Sequence, residues 1–411
     1  MLGISRWTEK GGSYRTIQRF FQTVIPWQVV FWRFFRQHLH DADEVYLLVG
    51  DECVVSKSGK QTHGLERFFS SLSGKPIPGV SFFSLSLVGI QERQAYPVMV
   101  EQVVRTETEK AAAQAKTPAK KKTKVKKRKA GRPQGSKNKD KTQVELTPEL
   151  VRIKGMVLKQ VALINGEIPL TYLVLDGHFG NNPALQMTRQ CGLHLISKLR
   201  HDAALYLPYA GVQNKYGARR KYGNKLNYNH IPLHYLKESL VEDGIRTDTY
   251  QAILLHKDFA QPLNVVIIVK IDLKTGKRGH VVLFSSDLNL SYEQLIDCYS
   301  LRFQIEFTFR DAKQYWGLED FMNVSETAVT NAANLSLFLV NLTRPLLQTL
   351  RQGSPGAGIL DLKTHFRGHK YVTETLKLLP EMPEPILIAH IFATIAQIGR
   401  IHADEPHPKA A

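Results

Sequence analysis

Four side chains in the last third of this 411-residue chain share a spacing suited to holding phosphate: Tyr299, Arg302, Glu306 and Lys313. At roughly 100° per residue on a helix they fall within about 60° of one another, on a single stripe. Arg grips phosphate through paired donors, Lys adds a point charge and Tyr offers a hydroxyl or a stacking face. Glu306 in their midst could hold a metal ion beside the same phosphate oxygens. The same pattern also serves a solvated helix as a row of ion pairs, so the stripe needs support from elsewhere in the chain.

Two further acids supply that support. Asp51 ends the run Val45-Tyr46-Leu47-Leu48-Val49-Gly50, and Asp176 ends Tyr172-Leu173-Val174-Leu175. A carboxylate at the end of a buried strand is costly unless a cation neutralises it. Oxygen ligands alone suit Mg²⁺ or Mn²⁺. Two such ions, about 3.5 to 4 Å apart, activate the attacking oxygen and stabilise the leaving one in phosphoryl transfer. Asp51, Asp176 and Glu306 are therefore the expected catalytic and metal-binding set, although a strand-end Asp more often only caps a turn. His178 could approach the same place but is left outside the set. Asp43, Glu44 and Glu52 are expected to be solvated.

The net charge of +18 calls for a polyanionic partner. The excess is concentrated in Lys110–Lys141, where twelve Lys and two Arg face the single acid Asp140, leaving only about +5 for the rest. Val125 is the only aliphatic side chain larger than alanine in that stretch. Such a segment has too little to bury and is expected to be a disordered basic arm. Within it, Lys129-Ala-Gly-Arg132-Pro-Gln-Gly-Ser-Lys137 is close to an AT-hook, a motif that lays Arg in the narrow minor groove. A plain polybasic tether is the alternative, and either would bind DNA. A second basic segment, Asn214 to Gly223, interleaves Arg219, Arg220 and Lys221 with Tyr216 and Tyr222, as expected for contact with a nucleic-acid backbone.

These residues need elements to position them. Tyr14–Val24 and Trp27–Leu39 have the periodicity of short amphipathic helices. Val45–Val55, Val80–Ile90 and Ala95–Val104 read as consecutive strands. After the arm come a helix over 149–165, a strand into Asp176, a helix over 183–191 and a strand over 194–198. Strands near 251–256, 265–271 and 280–285 follow, then one long helix over 292–316. The expected fold is α/β, an RNase H-like mixed sheet flanked by helices, with a strand-rich insertion ahead of the Glu306 helix. The expected domains are a helical segment over 1–40, a first core part over 41–201 with the arm at 106–145, the insertion over 202–290, a second core part over 291–325 and a helical region over 326–411.

Other classes fit less well. Leu335–Leu350, the longest apolar stretch near the C-terminus, is interrupted by Asn341, Thr343, Arg344 and Pro345 and reads as a core helix, not a membrane span. The start of the chain lacks the features of a secretory signal. Cys53, Cys191 and Cys298 lack metal or disulfide spacing and are expected to be buried thiols. A cytoplasmic, nucleoid-associated protein is the expectation.

Tyr299, Arg302, Glu306 and Lys313 match the Tyr-x2-Arg-x3-Glu-x6-Lys signature, and on them the sequence resembles the DDE transposases of the insertion sequence four family. Trp316-Gly-Leu-Glu-Asp-Phe321, and Ser56-Lys-Ser-Gly-Lys60 after Asp51, also look like family sequence. The resemblance implies that Glu306 is the third catalytic acid and that Tyr299, Arg302 and Lys313 contact phosphates near a transposon end. It also implies cleavage of transposon ends, their joining to target DNA and a homodimer on DNA. Family members often carry a longer DNA-binding region ahead of the position of Trp7, so either truncation or substitution by the arm is expected. Two other readings remain: a non-catalytic DNA-binding or chromatin-associated protein, and an RNase H-like nuclease without strand transfer.

Overall fold

The computed structural model describes residues 4, 6, 7, 13–70, 73–107, 109 and 140–402, and the chain divides into two compact units. Asp43–Phe307 forms one; Met1–Ala42 and Thr308–Ala411 contribute the other. Lys129, Arg132, Lys137 and nearly all of the basic arm lie outside the described residues.

The first unit is built on a mixed sheet of twelve strands. Its centre is β1 (Tyr46–Ser56), paired antiparallel with β3 (Lys75–Gly89) and parallel with β5 (Tyr172–Val174). Beyond β3 lie β2 (Glu66–Ser70) and β4 (Ala95–Val103). On the other side β5 pairs in parallel with β6 (His194–Leu199). From Gly79 through Gly89 β3 is buried, as expected for a strand covered on both faces. This order, three antiparallel strands followed by two parallel additions and flanked by helices, is that of an RNase H-like fold.

The insertion continues the same sheet. Antiparallel to β6 runs β12 (Arg278–Ser285), followed by β11 (Leu263–Asp272) and β10 (Ile245–His256). At the far side stand β7 (Leu205–Pro208) and β8 (Tyr222–Lys225), while β9 (Leu236–Glu242) forms a hairpin with β10. The turn of that hairpin is Asp243-Gly244, with φ of 49° and 76°, the left-handed pair that matches strand twist.

Local chemistry starts the helices where the sequence suggests. Thr147 accepts from the Leu150 N–H at 3.3 Å to cap α3 (Pro148–Ile164), with Pro148 opening the first turn. Asn181 does the same for α4 (Asn182–Gln190) through the Ala184 N–H at 3.0 Å. Ser291 caps α5 (Tyr292–Leu301) through the Gln294 N–H at 3.2 Å.

The second unit is helical, with α1 (Tyr14–Gln22) and α2 (Trp27–His38) against the long α7 (Glu326–Gly353), followed by α8 (Ile359–Leu376) and α9 (Pro385–Gln397). Buried Asn331 ties them together. Its Oδ1 accepts from Trp27 Nε1 at 2.8 Å, and its Nδ2 lies 2.8 to 3.2 Å from the carbonyls of Phe20, Phe21 and Thr23. Among the described residues no helix is long and apolar enough to cross a membrane.

One expected element differs. The single helix over 292–316 is two, α5 and α6 (Gln304–Trp316), separated at Arg302 and Phe303. Arg302, Phe303, Ile305 and Glu306 each donate an amide to the carbonyl three residues back, at 3.1 to 3.2 Å. The chain tightens into a 3₁₀ turn there without leaving the helical course.

Candidate active site

Sheet register brings the first two acids together. Leu48 stands opposite Leu173 and Val49 opposite Val174 in the parallel pair of β1 and β5. Asp51 in β1 and Asp176 just past the end of β5 each follow two residues later, so the register brings them level. Leu47, Val49 and Asp51 point to one face of β1 by strand alternation. Gly50 between them has no room for a side chain, because a Cβ would lie 2.8 Å from the Phe83 ring and 2.9 Å from Leu175.

Asp176 sits at the turn that leaves β5. Its Oδ1 accepts from the His178 N–H at 3.1 Å, and its carbonyl accepts from Ser197 Oγ at 2.7 Å, fixing the strand end to β6. The turn-capping role open to Asp176 is therefore filled, by one oxygen only. Gly180 closes the turn against β6, where a Cβ would meet the Lys198 carbonyl at 2.1 Å.

Arg302 links the strands to the helix. It donates to Asp51 Oδ2 at 2.5 Å through Nη1 and to Glu306 Oε1 at 3.1 Å through Nη2. The tight turn at Arg302 and Phe303 carries this guanidinium, and its buried Nε has no hydrogen-bond partner among the described residues. Two acids 255 positions apart in sequence are thus bridged by one cation.

The electrostatics agree with this convergence. Burial pushes the Asp51 carboxyl up to about 6, against the pull of Arg302 and the Glu52 N–H, and the charges of Asp176 and Glu306 push it further. The Tyr299 hydroxyl is also raised, first by burial, while Arg302 pulls it down and Asp176 and Asp51 push it up. Five of the expected residues therefore act on one another. Among the described residues no three His, Cys, Asp or Glu side chains stand as a ready-made metal group; the guanidinium holds Asp51 and Glu306.

Lys313, further along α6, belongs to the helical unit and pairs with Glu319 at 3.2 Å. Arg219, Arg220 and Lys221 lie in the loop between β7 and β8, and β8 is seven strand positions from β1 in the sheet order. The Arg220 guanidinium lies 4.6 Å from the centre of the Tyr209 ring and donates to the Tyr222 carbonyl at 3.1 Å. Gln213 clasps the Arg220 backbone from both sides, at 2.8 Å each.

Sequence reasoning missed several supporting groups. Glu44 is buried, not solvated, because its carboxylate accepts the N–H groups of Val45, Gln91 and Glu92 at 2.9 to 3.0 Å and so secures the turn between β3 and β4. From that turn Arg93 reaches Asp297 at 2.7 Å and Ser300 at 3.3 Å on α5, just ahead of Arg302. His178 Nε2 lies 3.3 Å from Glu149, whose hydrogen bond raises the imidazole above its ordinary range. Spacing offered no signal for the contacts of Glu44 with Gln91 and Glu92, of Arg93 with Asp297 and Ser300, or of His178 with Glu149, since these partners are remote in sequence. Cys53, Cys191 and Cys298 are free and buried, as expected.

A family model described as DDE superfamily endonuclease matches residues 1–262. The matched stretch includes Asp51 and Asp176 and ends before Glu306. No curated protein matches the chain.

Proposed function

Because the chain belongs to the DDE superfamily endonucleases, whose members act on DNA, we propose that it is a DNA transposase of the insertion sequence four type. In this reading it cuts transposon ends and joins them to target DNA, with Asp51, Asp176 and Glu306 as the catalytic acids. The observation that carries it is the bridge from Asp51 through Arg302 to Glu306, within the Tyr-x2-Arg-x3-Glu-x6-Lys pattern.

The donor set suits a hard divalent cation. Asp51, Asp176 and Glu306 offer only carboxylate oxygens, burial and then the charges of Asp176 and Glu306 raise the proton affinity of Asp51, and a cation already lies against two of the three. These three would hold Mg²⁺ or Mn²⁺, two ions in all, which when bound polarise the phosphoryl oxygens and lower the proton affinity of the attacking oxygen. Asp51, more buried than Glu306, fixes the position of the set from the strand. Arg302 orients Glu306 and gives one face of its guanidinium fork to the site, while Tyr299 adds a hydroxyl beside it.

The chemistry is two in-line displacements. Water attacks the phosphorus at the transposon end, the P–O bond to the 3′ oxygen breaks, and that oxygen leaves as a 3′-hydroxyl. The 3′-hydroxyl then attacks a target phosphodiester, expelling a target 3′-hydroxyl and losing its own proton. Arg219, Arg220 and Lys221 bind the DNA backbone along the insertion, Lys313 supplies a further phosphate contact, and Lys129, Arg132 and Lys137 tether the arm. A homodimer holds both ends.

The test is Mg²⁺-dependent cutting and joining of DNA that carries the element's ends, comparing the wild type with Glu306→Gln. Joined product from the wild type and none from the variant, with equal DNA binding, supports the reading. Cutting without any joined product replaces it with the plain endonuclease that the family description covers. Equal binding with no cutting by either protein leaves a DNA-binding protein.

A further inference from the structure

A groove of about 360 Å³ in the helical unit has a chemistry that the carboxylate centre does not use. Trp7, Trp316 and Phe366 line it together with leucines of α7, and Lys363 and Arg367 of α8 stand beside them. Two of the three aromatics are open to solvent: Trp7 is 42% exposed and Phe366 51%. Trp7 is steadied by an edge-on contact with Tyr371, with ring centres 5.4 Å apart.

The polar groups of the groove are under-used. The buried Nε1–H of Trp316 has no acceptor among the described residues. The Lys363 ammonium lies 5.0 Å from the centre of the Trp316 ring and donates to the Tyr315 carbonyl at 2.7 Å. Burial, and then the charge of Arg367, lower its proton affinity. An anion at this place would relieve both effects. Among the described residues no carboxylate forms an ion pair with Lys363 or Arg367.

We infer that this groove binds an unpaired nucleotide of a DNA strand, its base against the exposed aromatic rings and its phosphate against Lys363 and Arg367. A purely apolar guest would leave two cations without a counter-charge, and a simple anion would leave the rings in water. A nucleotide satisfies both. Duplex DNA keeps its bases stacked inside, so only an unpaired base can offer a face to Trp7 and Phe366. The inference rests on DNA as the partner, but on neither metal nor catalysis.

The test uses the full chain without divalent metal and a single-stranded oligonucleotide carrying 2-aminopurine. Binding should quench the probe through stacking. Trp7→Ala and Phe366→Ala should each weaken single-strand binding about tenfold, while duplex affinity stays within about twofold. Unchanged single-strand affinity and quenching in both folded variants overturns the inference. So does an equal loss on single and double strands, which points to general charge, or a change of oligomeric state in sedimentation, which assigns the groove to a second copy. Since no metal is present, these failures leave the cutting and joining test untouched, and failure of that test leaves this one standing.

Discussion

The carboxylate centre and the basic loop between β7 and β8 both concentrate charge, but they hold it in opposite ways. Asp51 and Arg302 are 18% and 17% exposed at their side chains and 2.5 Å apart, fixed by strand register and by a tight turn between two helices. Arg219, Arg220 and Lys221 are exposed, and Arg220 is held by local contacts with Tyr209, Gln213 and Tyr222. Water screens the second set and hardly reaches the first. Buried charges in a fixed geometry act as one device, so losing one disables all. Solvated charges add their contributions singly.

The sharpest break in that comparison is expected at the acids. Asp51→Asn, Asp176→Asn or Glu306→Gln should each cut metal-dependent cleavage at least about a thousandfold, several kcal/mol of lost transition-state stabilisation. DNA affinity should change little. Gel assays of cleavage beside binding isotherms check this, and a variant that keeps a tenth of the activity removes its acid from the set.

Arg302→Gln comes next, with an expected loss of about a hundredfold in cleavage and a change in pH dependence. Burial holds Asp51 at about 6 in the folded chain against 3.8 ordinarily, so below about 6 a cation must compete with its proton. The raised value also means that the folded state holds this proton more tightly than the unfolded one. Between about 4 and 6, therefore, the Asp51 contribution to stability falls as pH rises. Arg302 opposes the rise, and its removal should move the acid edge of Mg²⁺ binding to higher pH. Calorimetric titration across that range checks the direction, and an edge that stays or moves down refutes it.

What could be read in the sequence follows the same division between local and remote. The strands leading to Asp51 and Asp176 were legible because buried strands are continuous apolar runs, and the α3 and α4 starts because Thr147 and Asn181 precede prolines. Exposed β9 was not, since Leu236–Glu242 buries almost nothing and has no alternating pattern; the Asp243-Gly244 turn was its only signal. The stripe of Tyr299, Arg302 and Glu306 was visible, yet the 3₁₀ turn that interrupts its helix was not, because no Gly or Pro marks it. Arg302 was read as a phosphate contact. Its bond to Asp51 depends on tertiary pairing across 251 residues, which no spacing rule encodes.

The loop offers a milder test of additivity. Arg219→Ala, Arg220→Ala and Lys221→Ala should each lower the salt dependence of DNA binding by about one counterion and weaken binding a few-fold, nearly independently of sequence. Arg220→Ala should cost somewhat more than the other two, since it also removes the packing over Tyr209. Affinity measured against salt for the three single variants and the triple variant checks this. A triple variant far worse than the combined singles would show that the loop behaves as one unit, and the contrast with the carboxylate centre would fail.

The smallest effect is expected at the border between the two kinds of charge, where His178 follows Asp176 but its side chain is 66% exposed. Glu149 raises this imidazole through its hydrogen bond and charge, with further help from Asp176 and Glu52. Stability from this pair is present at low pH and is lost as pH rises through the elevated value. Glu149→Gln should bring the imidazole back toward 6.5, read as a shifted histidine titration by NMR, with cleavage changed less than about twofold because solvent screens so open a pair. If cleavage falls as steeply as it does for Arg302→Gln, exposure is not what separates the two regions, and His178 must be counted with the acids.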